Sequence, residues 1–234
     1  MTPDPLFDHY ADSYDDDLDN ALAVTGSSKD YFAQNRVAWS AECVRALGVE
    51  PKCAMDYGCG NGSTTPLMLS TLGASFAIGV DVSPRIIAKA REEHGASNIS
   101  FATLAEPAPL GTVDLAYCNG VFHHIDKSER AGALDYIYRS LGPRGMFSIW
   151  ENNPWNPATR YVMSRCAFDK GAQMLSVNAM RKLLRESGFV VIRSDFLFIF
   201  PGFLQSLRPL ERWVCKMPLG AQYHVLARKR TNSK

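Results

Sequence analysis

The chain has 234 residues, 46% of them hydrophobic, which is enough for one sizeable core and too short for two comfortable domains. Its 25 Lys and Arg stand against 24 Asp and Glu, so no strong field gathers nucleic acid or an anionic membrane, and small-molecule chemistry is the better expectation. The six cysteines are scattered, with no C-x-x-C pair and no histidines at zinc-finger spacing; they read as reduced residues of a cytoplasmic protein, and no metal is expected. The first twenty residues carry acid where a signal peptide carries base, and apolar runs such as "FLFIF" at 196–200 fall far short of the ~20 residues that span a bilayer. Neither nucleic acid nor membrane is therefore expected as a partner.

In chain order, residues 1–47 read as amphipathic helix, in "FDHYADSYDD" and "DYFAQNRVAWSAECVRAL", and are expected to form an N-terminal helical lid. From residue 53 short apolar runs alternate with amphipathic segments. The spacing predicts strands over 53–58, 76–82, 99–104, 113–119, 145–151, 190–200 and 222–229, with helices over 63–73, 83–95, 127–142 and 176–188 between them. Ser83, followed by proline, and Ser176 stand as N-caps, and glycines punctuate the helix ends. Strands and helices taking turns imply an α/β fold, a seven-stranded, mostly parallel, Rossmann-like sheet with helices on both faces, over residues 48–234. Residues 152–172, rich in Asn, Pro and aromatics, interrupt it as a substrate-loop insertion over a strand end, where ligands of such sheets bind.

The stretch "AMDYGCGNG" at 54–62 carries the chemistry. A phosphate-binding loop of the Gly-Lys-Ser type fails for want of a lysine, and a dinucleotide fingerprint survives only with its third glycine one residue early. Asp56, before the turn, repels a diphosphate but suits a ligand bearing an ammonium and a sulfonium, such as S-adenosylmethionine. Glycines let backbone approach that ligand, helix-start N–H groups can meet its carboxylate, and Asp81, at the end of the second strand, can accept ribose hydroxyls.

The strings "MDYGCGNGSTT", "IGVDVSPRIIAKA" and "VDLAYCNGVFHHI", in that order, resemble the class I S-adenosylmethionine-dependent methyltransferases, nearest the small-molecule group that includes quinone-biosynthesis enzymes. The likeness is close over about 50–151 and looser beyond. It implies that Asp56, Tyr57, Gly58, Cys59, Gly60 and Asn61 hold the methionine part of the cofactor, Asp81 the ribose and Val82 a face of the adenine. Leu104, Ala105 and Glu106 would edge the adenine, though the family usually has Asp-Ala where this chain has Leu104-Ala105, which leaves a backbone group or Glu106 to meet N6. Asn119 and Gly120 would meet the methionine end. The N-terminal "FDHYADSYDD" resembles the family helix that folds over the cofactor.

In relatives the first histidine of such a pair most often works, with an acid from the fifth strand behind it. His123 is accordingly expected as general base and Glu151 as its orienting partner, with His124 beside it; consecutive residues of an extended chain face opposite ways, so only one should face the acceptor. Both histidines could instead merely bond backbone and water around the loop. Tyr14, Tyr31, Asn152, Asn153, Trp155 and Arg160 are the acceptor-pocket candidates, and Arg36, Arg160 and Arg165 hint at an anionic group on the acceptor, although surface arginines explain them about as well. The expectation is a methyltransferase acting on a small acceptor, most readily at oxygen. A non-catalytic module that binds the same cofactor and an NAD-dependent oxidoreductase remain as alternatives.

Overall fold

A computed structural model of the chain describes residue 22, residues 25–166, residue 169 and residues 171–230. Seven strands form one sheet: β1 (Cys53–Tyr57), β2 (Phe76–Asp81), β3 (Ile99–Thr103), β4 (Val113–Asn119), β5 (Leu141–Asn152), β6 (Phe189–Leu197) and β7 (Gln222–Lys229). Their spatial order is β3-β2-β1-β4-β5-β7-β6, and only β7 runs antiparallel to its neighbours. The order reverses between β1 and β4, so their carboxyl ends part there and leave the crevice in which open α/β sheets bind ligands.

Helices cover both faces because the central strands are apolar on both. β1 buries Met55 and Tyr57 on one side and Ala54 and Asp56 on the other. Helices α4 (Arg130–Ser140) and α6 (Val177–Glu186) close the first face with Leu134, Ile137, Met180 and Leu184. Helices α1 (Lys29–Arg45) and α2 (Thr64–Leu72) close the second with Val37, Ala41, Val44 and Met68. Helix α3 (Pro84–His94) packs Ile87 and Ala90 against Ile99 and Phe101 at the β3 edge. The expected caps form: Ser83 accepts from Ile86 N–H and Ser176 from Ala179 N–H.

Three boundaries differ from the sequence reading. Strand β5 begins at Leu141, four residues before the expected start, because Leu141 is buried and pairs with Val113 across a register shift, with Arg144 taking a φ of 66° in the turn that follows. Strand β6 stops at Leu197 although the apolar run continues. The Glu211 carboxylate there accepts the N–H groups of Phe198, Ile199 and Phe200, which removes them from any ladder, and Phe198 turns with a φ of 61°. Beyond it, a 3-10 helix (Gly202–Leu210) and the short α7 (Glu211–Val214) occupy a stretch with no element in the sequence reading. Of the segment expected as a lid, residues 29–45 form α1, whose buried face makes it one layer of the domain.

A polar network joins α1 to the sheet. Ser40 exchanges a 2.8 Å bond with Ser148, which bonds His224 Nε2 at 3.0 Å, while Trp150 Nε1 donates to Ser40. At its far end the buried Asp195 carboxylate accepts from Trp39 Nε1, both arms of Arg193 and the Lys216 ammonium. Burial raises its pKa, but the bonds from His224, Arg193 and Lys216 outweigh that and hold it well below the usual carboxylate range. Replacing Asp195 strands three donors, yet Arg193 and Lys216 are partly exposed and regain water. Asp195→Ala should therefore cost about 2–3 kcal/mol, less than the ~3–5 kcal/mol of a fully buried pair. Urea denaturation measures it, and a cost under about 0.5 kcal/mol would show the network to be idle.

Candidate active site

The loop after β1 folds back on β2. Gly58 and Cys59 donate their N–H groups to the Val80 carbonyl, and Gly60 N–H donates to Asp81 Oδ2 at 3.0 Å. Asp81 Oδ1 accepts Ser83 N–H, so this carboxylate ties the glycine turn to the start of α3. Gly58 has a φ of +73°, and a Cβ there would run into Val121; Gly62 has a φ of +84° and would meet the Phe101 ring at 2.7 Å. Both positions need glycine for backbone and space alike. Cys59 is buried beneath the loop, and burial drives its thiol well above the ordinary range, so it is packing rather than a nucleophile.

Asp56 is 3% exposed, and the Thr65 hydroxyl donates to its Oδ2 at 3.0 Å. Burial pushes its pKa up to about 7; the Thr65 bond and the Arg36 charge hold it down, and the Asp81 charge adds to the rise. Around it stand polar atoms without partners. Tyr117 lies opposite Asp56 in the ladder, and its hydroxyl, the Oδ1 of Asn119 two residues on, and Arg36 Nε are all buried and unbonded. Buried polar atoms are bonded as a rule, so three orphans beside one buried acid mark where a polar ligand belongs. Arg36 reaches in from α1, its Nη1 donating to Gln222, whose amide donates to Asn152 Oδ1.

On the other sheet face the turn after β4 is held by Glu151. This fully buried carboxylate accepts Phe122 N–H and bonds His123 Nδ1, both at 2.7 Å. The two residues expected to work together are in contact. His123 Nε2 and His124 Nε2 each lie 3.3 Å from Asp169 Oδ1, and the rings are 4.1 Å apart. The expectation that only one of the pair faces the acceptor assumed extended chain. Residues 121–125 form turns instead, His124 N–H donating to Val121 O and Ile125 N–H to Phe122 O, so both rings converge. Burial opposes a charge on His123, but Glu151 and Asp169 outweigh it and raise the pKa to about 10. Both ring nitrogens of His123 thus already face carboxylates in this arrangement. Asp169 escaped sequence reasoning because it lies 46 residues from His123 with no motif around it.

Other expected residues fall into place unevenly. Tyr57's side chain is on the face opposite Asp56, packed on Phe122 and Tyr136, so only its backbone faces the loop. Glu106 Oε1 accepts from Thr103 N, Thr103 Oγ1 and Arg91, which ties down the turn after β3. Val82 and Gly120 stand at the ends of β2 and β4, as expected. Asn153 is buried with its amide donating to Pro218 and Gly220 carbonyls, so it ties loops together instead of facing an acceptor. Tyr31 lines a cavity of about 160 Å³ with Trp39, Trp150 and Arg208. Trp150 and Glu151 are successive in β5 and point to opposite faces, so that cavity is not the histidine site. Trp155 and Arg160 are exposed, Arg165 bonds Tyr161, and the three arginines are not gathered; Tyr14 lies outside the described residues.

Residues 54–145 match the family model of a methyltransferase domain. Over that stretch the chain is similar to a methyltransferase domain. A trans-aconitate 2-methyltransferase of Acidovorax sp. (strain JS42) is 30% identical over 146 residues, 57% of this chain and 56% of that protein. The alignment thus spans little more than half of that relative's length. The enzyme of the same name from Escherichia coli O1:K1 / APEC is 26% identical over 215 residues, 85% of this chain and 83% of the other. In fold, the chain is like an S-adenosylmethionine-dependent methyltransferase of Mesorhizobium loti, with a TM-score of 0.59 and 21% identity over 80% of this chain and 96% of that one.

The raised pKa of Asp56 links stability of the fold to pH. A carboxyl at about 7 when folded and ~3.9 when unfolded favours the folded state below pH ~4, and that contribution is lost as pH rises through 7. Thermal unfolding of the ligand-free chain should show wild type losing up to about 4 kcal/mol relative to Asp56→Asn between pH 4 and 8. A pH-independent difference would contradict the burial of an unpaired acid.

Proposed function

We propose that the chain transfers a methyl group from S-adenosylmethionine to an oxygen of a small anionic acceptor. The observation that carries the cofactor half is the buried Asp56 beside the orphaned Asn119 Oδ1, Tyr117 hydroxyl and Arg36 Nε. An acid and a carbonyl oxygen suit the methionine ammonium, and a guanidinium suits its carboxylate. Asp81, aimed by its own two backbone bonds, would take the ribose hydroxyls. Val82 and the backbone of Leu104 and Ala105 would hold the adenine, and the 58–61 backbone would line the methionine. Bound, this cofactor supplies a methyl group on a sulfonium, already electrophilic.

The acceptor half rests on two supports. Two relatives are named for trans-aconitate, an acid anion. The His123 ring, steered by Glu151, would offer its Nε2 edge to such an anion once Asp169 gives way. A carboxylate acceptor arrives ionised and needs no base, so the protein's part is to align it and exclude water. Glu151 fixes the His123 ring, which in turn orients the acceptor oxygen; His124 stands alongside. Removal of a hydroxyl proton by His123 would first require Asp169 to withdraw from Nε2. Trp155 and Arg160, exposed in the stretch after β5, would border the acceptor.

Calorimetric titration should show binding of S-adenosylmethionine and its demethylated product but not NAD. Asp81→Ala should weaken both by at least about tenfold, the ~1.4 kcal/mol of one good hydrogen bond, with the fold intact. Incubation with small di- and tricarboxylic acids should yield a product heavier by one methyl group, seen by mass spectrometry. Tight NAD binding without adenosyl-ligand binding would overturn the reading.

A further inference from the structure

The distances around Asp169 separate into two kinds. His123 Nδ1 to Glu151 is 2.7 Å, the length of a strong charge-assisted bond, whereas both histidine Nε2 atoms stand 3.3 Å from one oxygen of Asp169. The spacing matches the edge of a tetrahedron around an ion whose bonds to nitrogen and oxygen are about 2.0–2.1 Å, since such an edge is about 3.3–3.4 Å. The three ligand atoms lie within 4.8 Å of one another.

We propose that His123, His124 and Asp169 bind a divalent transition ion of the zinc class, through both Nε2 atoms and Asp169 Oδ1. A second group makes the site a built one. Metal-binding histidines hand their other ring nitrogen to a carboxylate that fixes the tautomer, and Glu151 does this to His123 from full burial while Phe122 N–H holds Glu151 in turn. Three protein ligands leave a fourth position open, the pattern of catalytic rather than structural zinc. Resting on the proposed function, that position would take the acceptor's carboxylate or hydroxyl oxygen. It would also pin the segment after α5 (Pro157–Arg165) to the turn after β4, which Gln173 N–H already joins by its 2.7 Å bond to His123 O. The other cluster of suitable atoms, Cys43, Asp195 and His224, is poorer, because Arg193 and Lys216 already bond that carboxylate.

The test uses the full chain freed of metal by a chelator and titrated with Zn²⁺ or Co²⁺. One ion per chain should bind, and cobalt should give the intense visible absorption of a tetrahedral site. Asp169→Asn and His124→Ala should each weaken binding more than tenfold, and Glu151→Gln by about 10–100-fold as a support lost behind a ligand. His94→Ala and Cys43→Ser should leave it unchanged. Absence of stoichiometric binding, or binding that survives Asp169→Asn or fails in Cys43→Ser, overturns the proposal. Titration of the metal-free chain with S-adenosylmethionine keeps the two ideas apart: cofactor binding without metal binding sinks only the metal site, and the reverse sinks only the methyltransferase reading.

Discussion

The site is organised around a carboxylate placed where it is costly. Asp56 lies at the tip of β1 with the Thr65 hydroxyl as its donor, so the folded chain carries a desolvated acid at the parting of two strand ends. The glycine turn, the orphaned groups of Tyr117 and Asn119 and the guanidinium of Arg36 all lie around it, and each has an unmet need that a zwitterionic, positively charged ligand would satisfy. A diphosphate could meet Arg36 and Tyr117 but would be repelled by the acid and left without a donor for Asn119 Oδ1. In the proposed reading, selectivity for an adenosyl donor over a dinucleotide would be an electrostatic property of one buried residue, set before any contact with the adenine.

A second buried acid shapes the acceptor side by other means. Glu151 has its oxygens engaged, one by the Phe122 peptide and one by His123, and so fixes both the turn after β4 and the tilt of the imidazole. Arg130 fastens the same turn from below, donating to the carbonyls of Phe122 and Ile125 and to Gln173. Two carboxylates on successive layers of the fold therefore do different work: Asp56 is held in need of a partner, and Glu151 is held by its partners. The first invites a ligand; the second positions a side chain.

Much of this was legible in the sequence, and the misses have local causes. Strands β1 to β4 were readable because apolar runs of five to seven residues are bounded by glycine, proline and acid, and the caps at Ser83 and Ser176 followed from residue type. The end of β6 was not, because the apolar run through Phe200 has strand composition and only Glu211, eleven residues further on, captures the peptide groups that would have extended the ladder. The pairing of His123 with Glu151 was expected from position. The convergence of both histidines was not, since alternation holds for extended chain and the turn at 121–125 breaks it.

The sequence alone determined the α/β alternation, the glycine turn and the acid at each of the first two strand ends, because these depend on residue type and on spacing within one β-turn-α unit. Only the tertiary structure decided that Arg36 leans over Asp56 from a helix before the sheet, that Tyr57 turns its ring away from the ligand side, and that Asp169 closes on the two histidines. Those placements join segments 20 to 46 residues apart, or depend on which face of a strand a side chain takes once its neighbours are packed, and no local pattern encodes either.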